Sequence, residues 1–110
     1  MNWIVLLAGL SGALAVGAGA FGAHGASGAA AEWLKTGGQY QLIHAVAALA
    51  VLRIDAKAPA ILFLAGGAIF AVSLYLMALG LPRWLGAVTP IGGALLIGGW
   101  LWLAWVAARR

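Results

Sequence analysis

The chain is 110 residues long, 65% hydrophobic and 7% charged, with a net charge of +4 and a mean hydropathy of +1.08. Soluble domains carry roughly 25% charged residues because their surfaces must be wetted, so six Lys or Arg and two acidic residues exclude a water-facing surface over most of this molecule. The absence of cysteine removes disulfides, thiol redox chemistry and thiolate metal sites, and the scattered cations form no basic patch of the kind that binds nucleic acid.

Residues 1–31 contain no Asp, Glu, Lys or Arg. They predict a membrane helix near 3–23, since about 20 apolar residues cross a bilayer. AGA at 18–20 resembles a signal cleavage site, but MNW lacks the positive charge that precedes a cleavable signal, so a retained helix is expected. Small residues recur at four-residue spacing as Gly9, Ala13 and Gly17, with Ser11, Ala15 and Gly19 on a second stripe and Ala18 and Gly22 on a third. Lipid tails are as apolar as leucine, so close contact through small residues does much of the work of joining helices. Gly9, Ala13, Gly17 and Gly22 are therefore expected to pack, inside the bundle or against another molecule. Gly17-x-Gly19-x-x-Gly22 follows no strand, which sets aside a dinucleotide loop. His24 comes just after this helix.

The second charge-free run, 36–52, is only 17 residues long. It borrows from AAAEWLKTGG before it, with Ser27 or Gly28 near the start, to give a helix near 31–53. Within it, QYQLIHA at 39–45 sets Gln39, Tyr40, Gln41 and His44 among aliphatic residues. At 100° per residue Tyr40, Gln41 and His44 share one arc and Gln39 points away. Ala47, Ala48 and Val51 continue that arc. A face that is polar and then small belongs against protein rather than lipid.

Residues 58–82 give a third helix near 60–80, with Pro59 in its first turn, a Gly66–Gly67 pair, and Ser73 and Tyr75 toward its end. Residues 84–108 give a fourth near 88–107, where Thr89–Pro90 reads as an N-cap followed by proline at the first helical position. Gly66 and Gly93 are expected to pack. The fold class predicted is all-α: one membrane domain over 1–110, built as a bundle of four transmembrane helices. Four spans place both termini and the 53–59 loop on one side, with Arg53, Lys57, Arg109 and Arg110 against Lys35 and Arg83 on the other. The positive-inside rule then puts the termini in the cytoplasm.

His24, Tyr40, Gln41, His44, Ser73, Tyr75 and Thr89 all fall, on this topology, in the half of the membrane away from the termini. Two readings of this cluster stand: ordinary interhelical hydrogen bonding, or a site for a solute, a lipid or a quinone headgroup. No metal, haem or other cofactor is expected, because His24 and His44 have no carboxylate or cysteine beside them. No enzyme is expected either, since a Gly-x-Ser-x-Gly, a Ser-His-Asp arrangement and a P-loop are all missing. Glu32 and Asp55 belong to predicted loops, so the buried carboxylate of small proton-driven multidrug carriers is lacking.

FGAHG at 21–25, QYQLIHA at 39–45, SLYLMAL at 73–79 and TPIGGALLIGGW at 89–100 together resemble the YgdD/YwdK-like family of small membrane proteins, known as domain of unknown function 423, to which the eukaryotic transmembrane protein 256 group is related. The resemblance spans almost the whole chain. It implies a four-helix protein of bacterial plasma membranes and supplies no activity and no catalytic residue; its motifs fall on His24, Gln41, His44, Tyr75 and Thr89. The role expected is a non-enzymatic accessory or scaffolding subunit in contact with membrane lipids, forming a homo-oligomer or joining a larger membrane complex. The alternatives are an oligomeric channel or carrier for a small neutral or weakly charged solute, lined by Gln41 and His44, and a binder of a lipid or quinone headgroup.

Overall fold

A computed structural model describes residues 1–110. The chain is all helical: α1 spans Trp3–His24, α2 Gly28–Val51, α3 Lys57–Ala78 and α4 Thr89–Ala108, with short 3-10 turns at Leu52–Ile54 and Arg83–Ala87. Asn2 caps α1, its Oδ1 accepting from the Val5 N–H at 3.2 Å. Gly28 opens α2 with a φ of +60°, a left-handed turn that glycine adopts without steric cost. With Ser27 as the N-cap, it starts α2 at the residues the sequence offered, three ahead of the approximate bound at 31. Asp55 closes the turn after α2 at φ 59°, a conformation its short polar side chain tolerates. Val88, not Thr89, occupies the N-cap of α4, which leaves the Thr89 hydroxyl for another partner.

Three segments are long and apolar enough to cross a membrane: Trp3–His24, Lys57–Ala78 and Arg83–Ala108. α2, with 24 residues, is about 36 Å long, but Glu32, Lys35, Gln39, Gln41 and His44 dilute its apolar character. Each helix packs on its successor in the chain, with a lighter contact between α1 and α3. The inner helices are α2 and α3. Over their most apolar stretches 56% of α3 is buried, against 17% of α1 and 22% of α4. The outward faces remain aliphatic and aromatic, Leu10, Val16, Ile97 and Leu101 among them, as lipid contact requires.

Glycines set the closest helix approaches. Gly38 on α2 meets the backbone of α1, where an added Cβ would stand 2.8 Å from the Ala15 carbonyl. Gly66 and Gly92 bring α3 and α4 together, and a Cβ on Gly92 would fall 2.8 Å from the Gly66 carbonyl. Gly22 is likewise tight against Leu34 and Ala31, while Gly93 makes only ordinary contact with the Phe70 ring at 3.9 Å. The expectation for Gly9, Ala13 and Gly17 is corrected within the bundle: a Cβ at either glycine would meet nothing within 4 Å, and Ala13 is exposed. α1 instead buries Ala8 together with Ala15 of the second stripe and Gly22 of the third. At the Trp3 end of the bundle an apolar core joins Ala8, Ala48, Val51, Ala60, Phe63 and Leu96. At the opposite end a smaller one joins Leu34, Ala71 and Tyr75.

Candidate functional site

Three polar pairs tie α2, α3 and α4 together. Gln41, 3% exposed, accepts a 2.7 Å hydrogen bond from the Tyr75 hydroxyl at its Oε1. Tyr75 stands near the end of α3, but side chains lean toward the N-terminus of their own helix, and this carries the hydroxyl to the level of Gln41. Gly37 makes the approach possible, since a Cβ there would lie 2.7 Å from the tyrosine ring. Two residues before Tyr75 on α3, Ser73 donates to the Phe70 carbonyl at 2.9 Å. A hydroxyl has a single proton to give, so Thr89 is the donor in the 2.6 Å bond between Ser73 Oγ and Thr89 Oγ1.

His44 supplies the third pair. Its Nε2 lies 3.0 Å from the Trp100 indole N–H, and its Nδ1 lies 2.7 Å from the Tyr40 carbonyl. An indole nitrogen only donates and a carbonyl only accepts. The network therefore assigns a neutral imidazole with its proton on Nδ1. Both ring nitrogens are used, and neither is left for a metal. Around it stand Phe63, with ring centroids 5.6 Å apart, and Trp100, edge-on at 5.8 Å. Gly99 leaves space for Phe63, whose ring would lie 2.8 Å from a Cβ at that position.

Of the seven residues singled out from the sequence, Gln41, His44, Ser73, Tyr75 and Thr89 take part in these pairs. Tyr40 does so only through its carbonyl; its ring is 44% exposed and rests on Phe70 at a centroid distance of 4.7 Å. His24 is exposed at the end of α1, remote from α4, which does not pack on α1 to any extent. No hydrogen bond joins His44 to Tyr75 or Thr89; its partner is Trp100, which the sequence reading passed over. An indole N–H eleven residues into an apolar helix has to find an acceptor where no water is available, and that was the available signal. The depth also needs correction. His44 lies 16 residues from the start of α2 and seven from its end, so the pairs descend past the middle of the bundle rather than gathering at one rim.

An all-helical bundle with an aliphatic exterior and its polar groups paired inside is a small membrane protein. The chain belongs to the family described as "Protein of unknown function (DUF423)", which it matches over residues 18–93, in agreement with the resemblance carried by its motifs. It is 39% identical over 112 residues to a UPF0382 membrane protein of Staphylococcus epidermidis, covering 92% of this chain and 91% of that one. A UPF0382 membrane protein of Haemophilus influenzae is also 39% identical, over 94% of this chain and 92% of its own. The UPF0382 membrane protein YwdK of Bacillus subtilis is 34% identical over 99% of this chain and 98% of its own. No solved structure matches.

Proposed function

We propose that this chain is a non-enzymatic accessory or scaffolding subunit of the bacterial plasma membrane, spanning it four times with both ends in the cytoplasm. The observation behind this reading is that the buried polar side chains pair with one another, with the Gln41 amide nitrogen alone outside these bonds. Gln41 is taken by Tyr75, Ser73 by Thr89 and His44 by Trp100, and no buried side-chain nitrogen or oxygen lacks a partner. A transport or catalytic site needs polar groups that remain available to a substrate. A closed set instead fixes the register of α2, α3 and α4.

The same pairing supports insertion of α2, because its buried Gln41 and His44 are satisfied inside, which leaves Gln39 as the exposed polar side chain at its middle. The excess of Arg53, Lys57, Arg109 and Arg110 over Lys35 and Arg83 supports cytoplasmic ends. The surface offered to a partner is the open Gly9–Ala13–Gly17 stripe of α1, where backbones can approach closely. Because the chain has no cysteine, Ala13→Cys provides a single cross-linking site. Oxidation in native membranes is expected to give a dimer or one defined adduct, while Val46→Cys on the exposed face of α2 gives none. Monomer alone from both variants would remove the accessory reading, and solute uptake into proteoliposomes that Gln41→Leu abolishes would replace it with the channel.

A further inference from the structure

At the end of the bundle where α1 and α3 begin, a pocket of about 450 Å³ is lined by Asn2, Trp3, Ile4, Leu52 and Lys57 together with Met1. Its volume falls within the roughly 300–1,000 Å³ of ligand pockets. Its polar character contrasts with a second cavity of about 270 Å³ between the same two helices, lined by Leu7, Ser11, Ile61, Ala65 and Ala68 among others. Ile4 lines both, so the polar pocket and the apolar groove adjoin along α1. From Ala68 a further groove continues along α3 past Val72 to Leu76. At 1.5 Å per residue the stretch from Ile61 to Leu76 is about 22 Å long, more than one leaflet of a hydrocarbon core about 30 Å thick.

We propose that an anionic phospholipid docks between α1 and α3, with its phosphate in the Lys57 pocket and one acyl chain in the groove that continues from it. The lysine ammonium supplies the countercharge, and Asp55, the nearest acidic residue in sequence, is not part of the pocket wall. Asn2 commits its Oδ1 to the cap of α1, which leaves its amide N–H groups to donate to a phosphate. Trp3, 64% exposed, has the mixed apolar and polar character that sits at the headgroup level. Between α1 and α3 the groove has Ser11 as its one polar residue, and farther along α3 it has Ser73, whose hydroxyl is taken by Phe70 and Thr89, so the lining favours hydrocarbon. This site is separate from the His44–Trp100 region and from the open stripe of α1.

The test is native mass spectrometry of the full chain in mixed micelles containing equal phosphatidylglycerol and phosphatidylcholine. Phosphatidylglycerol should be retained preferentially, and Lys57→Gln should reduce that preference about fivefold, the factor expected for one cation at an anionic surface. Arg110→Gln, the same charge change outside the pocket, should leave it intact. Ala65→Phe, at an exposed position, should lower retention of either lipid, with circular dichroism confirming the fold. Equal retention of the two lipids, equal loss in Arg110→Gln, indifference to Ala65→Phe, or displacement by millimolar glycerol phosphate would each overturn the proposal.

Discussion

Replacing Trp100 by phenylalanine removes one hydrogen-bond donor and retains a ring against Phe63, whose centroid lies 4.6 Å from that of Trp100. His44 is 6% exposed, so its Nε2 is then left without a partner. An unpaired buried acceptor costs about 1–3 kcal/mol in water-soluble proteins. Interhelical bonds in membranes average about 0.6 and reach about 1.7 kcal/mol, because helices separated in lipid also find partners. The membrane scale governs here, and about 1 kcal/mol is expected for Trp100→Phe. His44→Leu should cost at least as much, since the imidazole also fills space beside Phe63. The decisive quantity is the coupling: the double variant should be less destabilised than the sum of the singles by about 0.6–1.7 kcal/mol. Unfolding in dodecyl sulfate mixed micelles, followed by far-ultraviolet circular dichroism, measures all three. Additivity within about 0.3 kcal/mol would refute the bond. Nitrogen-15 spectra of the imidazole give a second readout, with the proton expected on Nδ1 in the parent protein.

Tyr75→Phe strands the Gln41 carbonyl, and a cost of about 1 kcal/mol is expected in the same assay; adding Gln41→Leu should recover part of it. Gly92→Ala forces a methyl group against the Phe70 backbone, which cannot rotate away as a side chain would, so about 1–3 kcal/mol of overpacking is expected. Gly17→Ala, open on all sides, should be neutral or stabilising by up to about 1 kcal/mol, with the two variants compared by thermal unfolding in one detergent.

The helix ends were readable in the sequence because charge punctuates the chain: Lys35, Arg53, Lys57 and Arg83 divide it into apolar runs, and α1, α3 and α4 follow them to within a few residues. Ser27 and Gly28 marked the start of α2, though not the positive φ of Gly28. Of the arc drawn by the wheel, Gln41, His44, Ala48 and Val51 are buried, Ala47 is half-buried and Tyr40 is exposed. Partner choice was not readable. Which residue of α4 meets His44 depends on how α4 lies on α3, where Gly99 and Phe63 pack against each other in a way that no single helix encodes. Thr89 shows the same limit: capping chemistry and interhelical bonding use one hydroxyl, and the 3-10 turn before α4 decides between them. The small-residue stripes of α1 are equivalent in sequence, and only Gly38 on the neighbouring helix selects Ala15 over Ala13.

Since consecutive helices are neighbours in space, the order of synthesis is also an order of rescue. On the four-span reading proposed above, α2 enters lipid before Gln41 and His44 have interhelical partners. The glutamine is relieved when Tyr75 arrives on α3, and the Nε2 of the histidine only when Trp100 arrives on α4. On that reading, a chain stopped at residue 82 would keep this one nitrogen unmatched, and the fourth helix is the element that closes it.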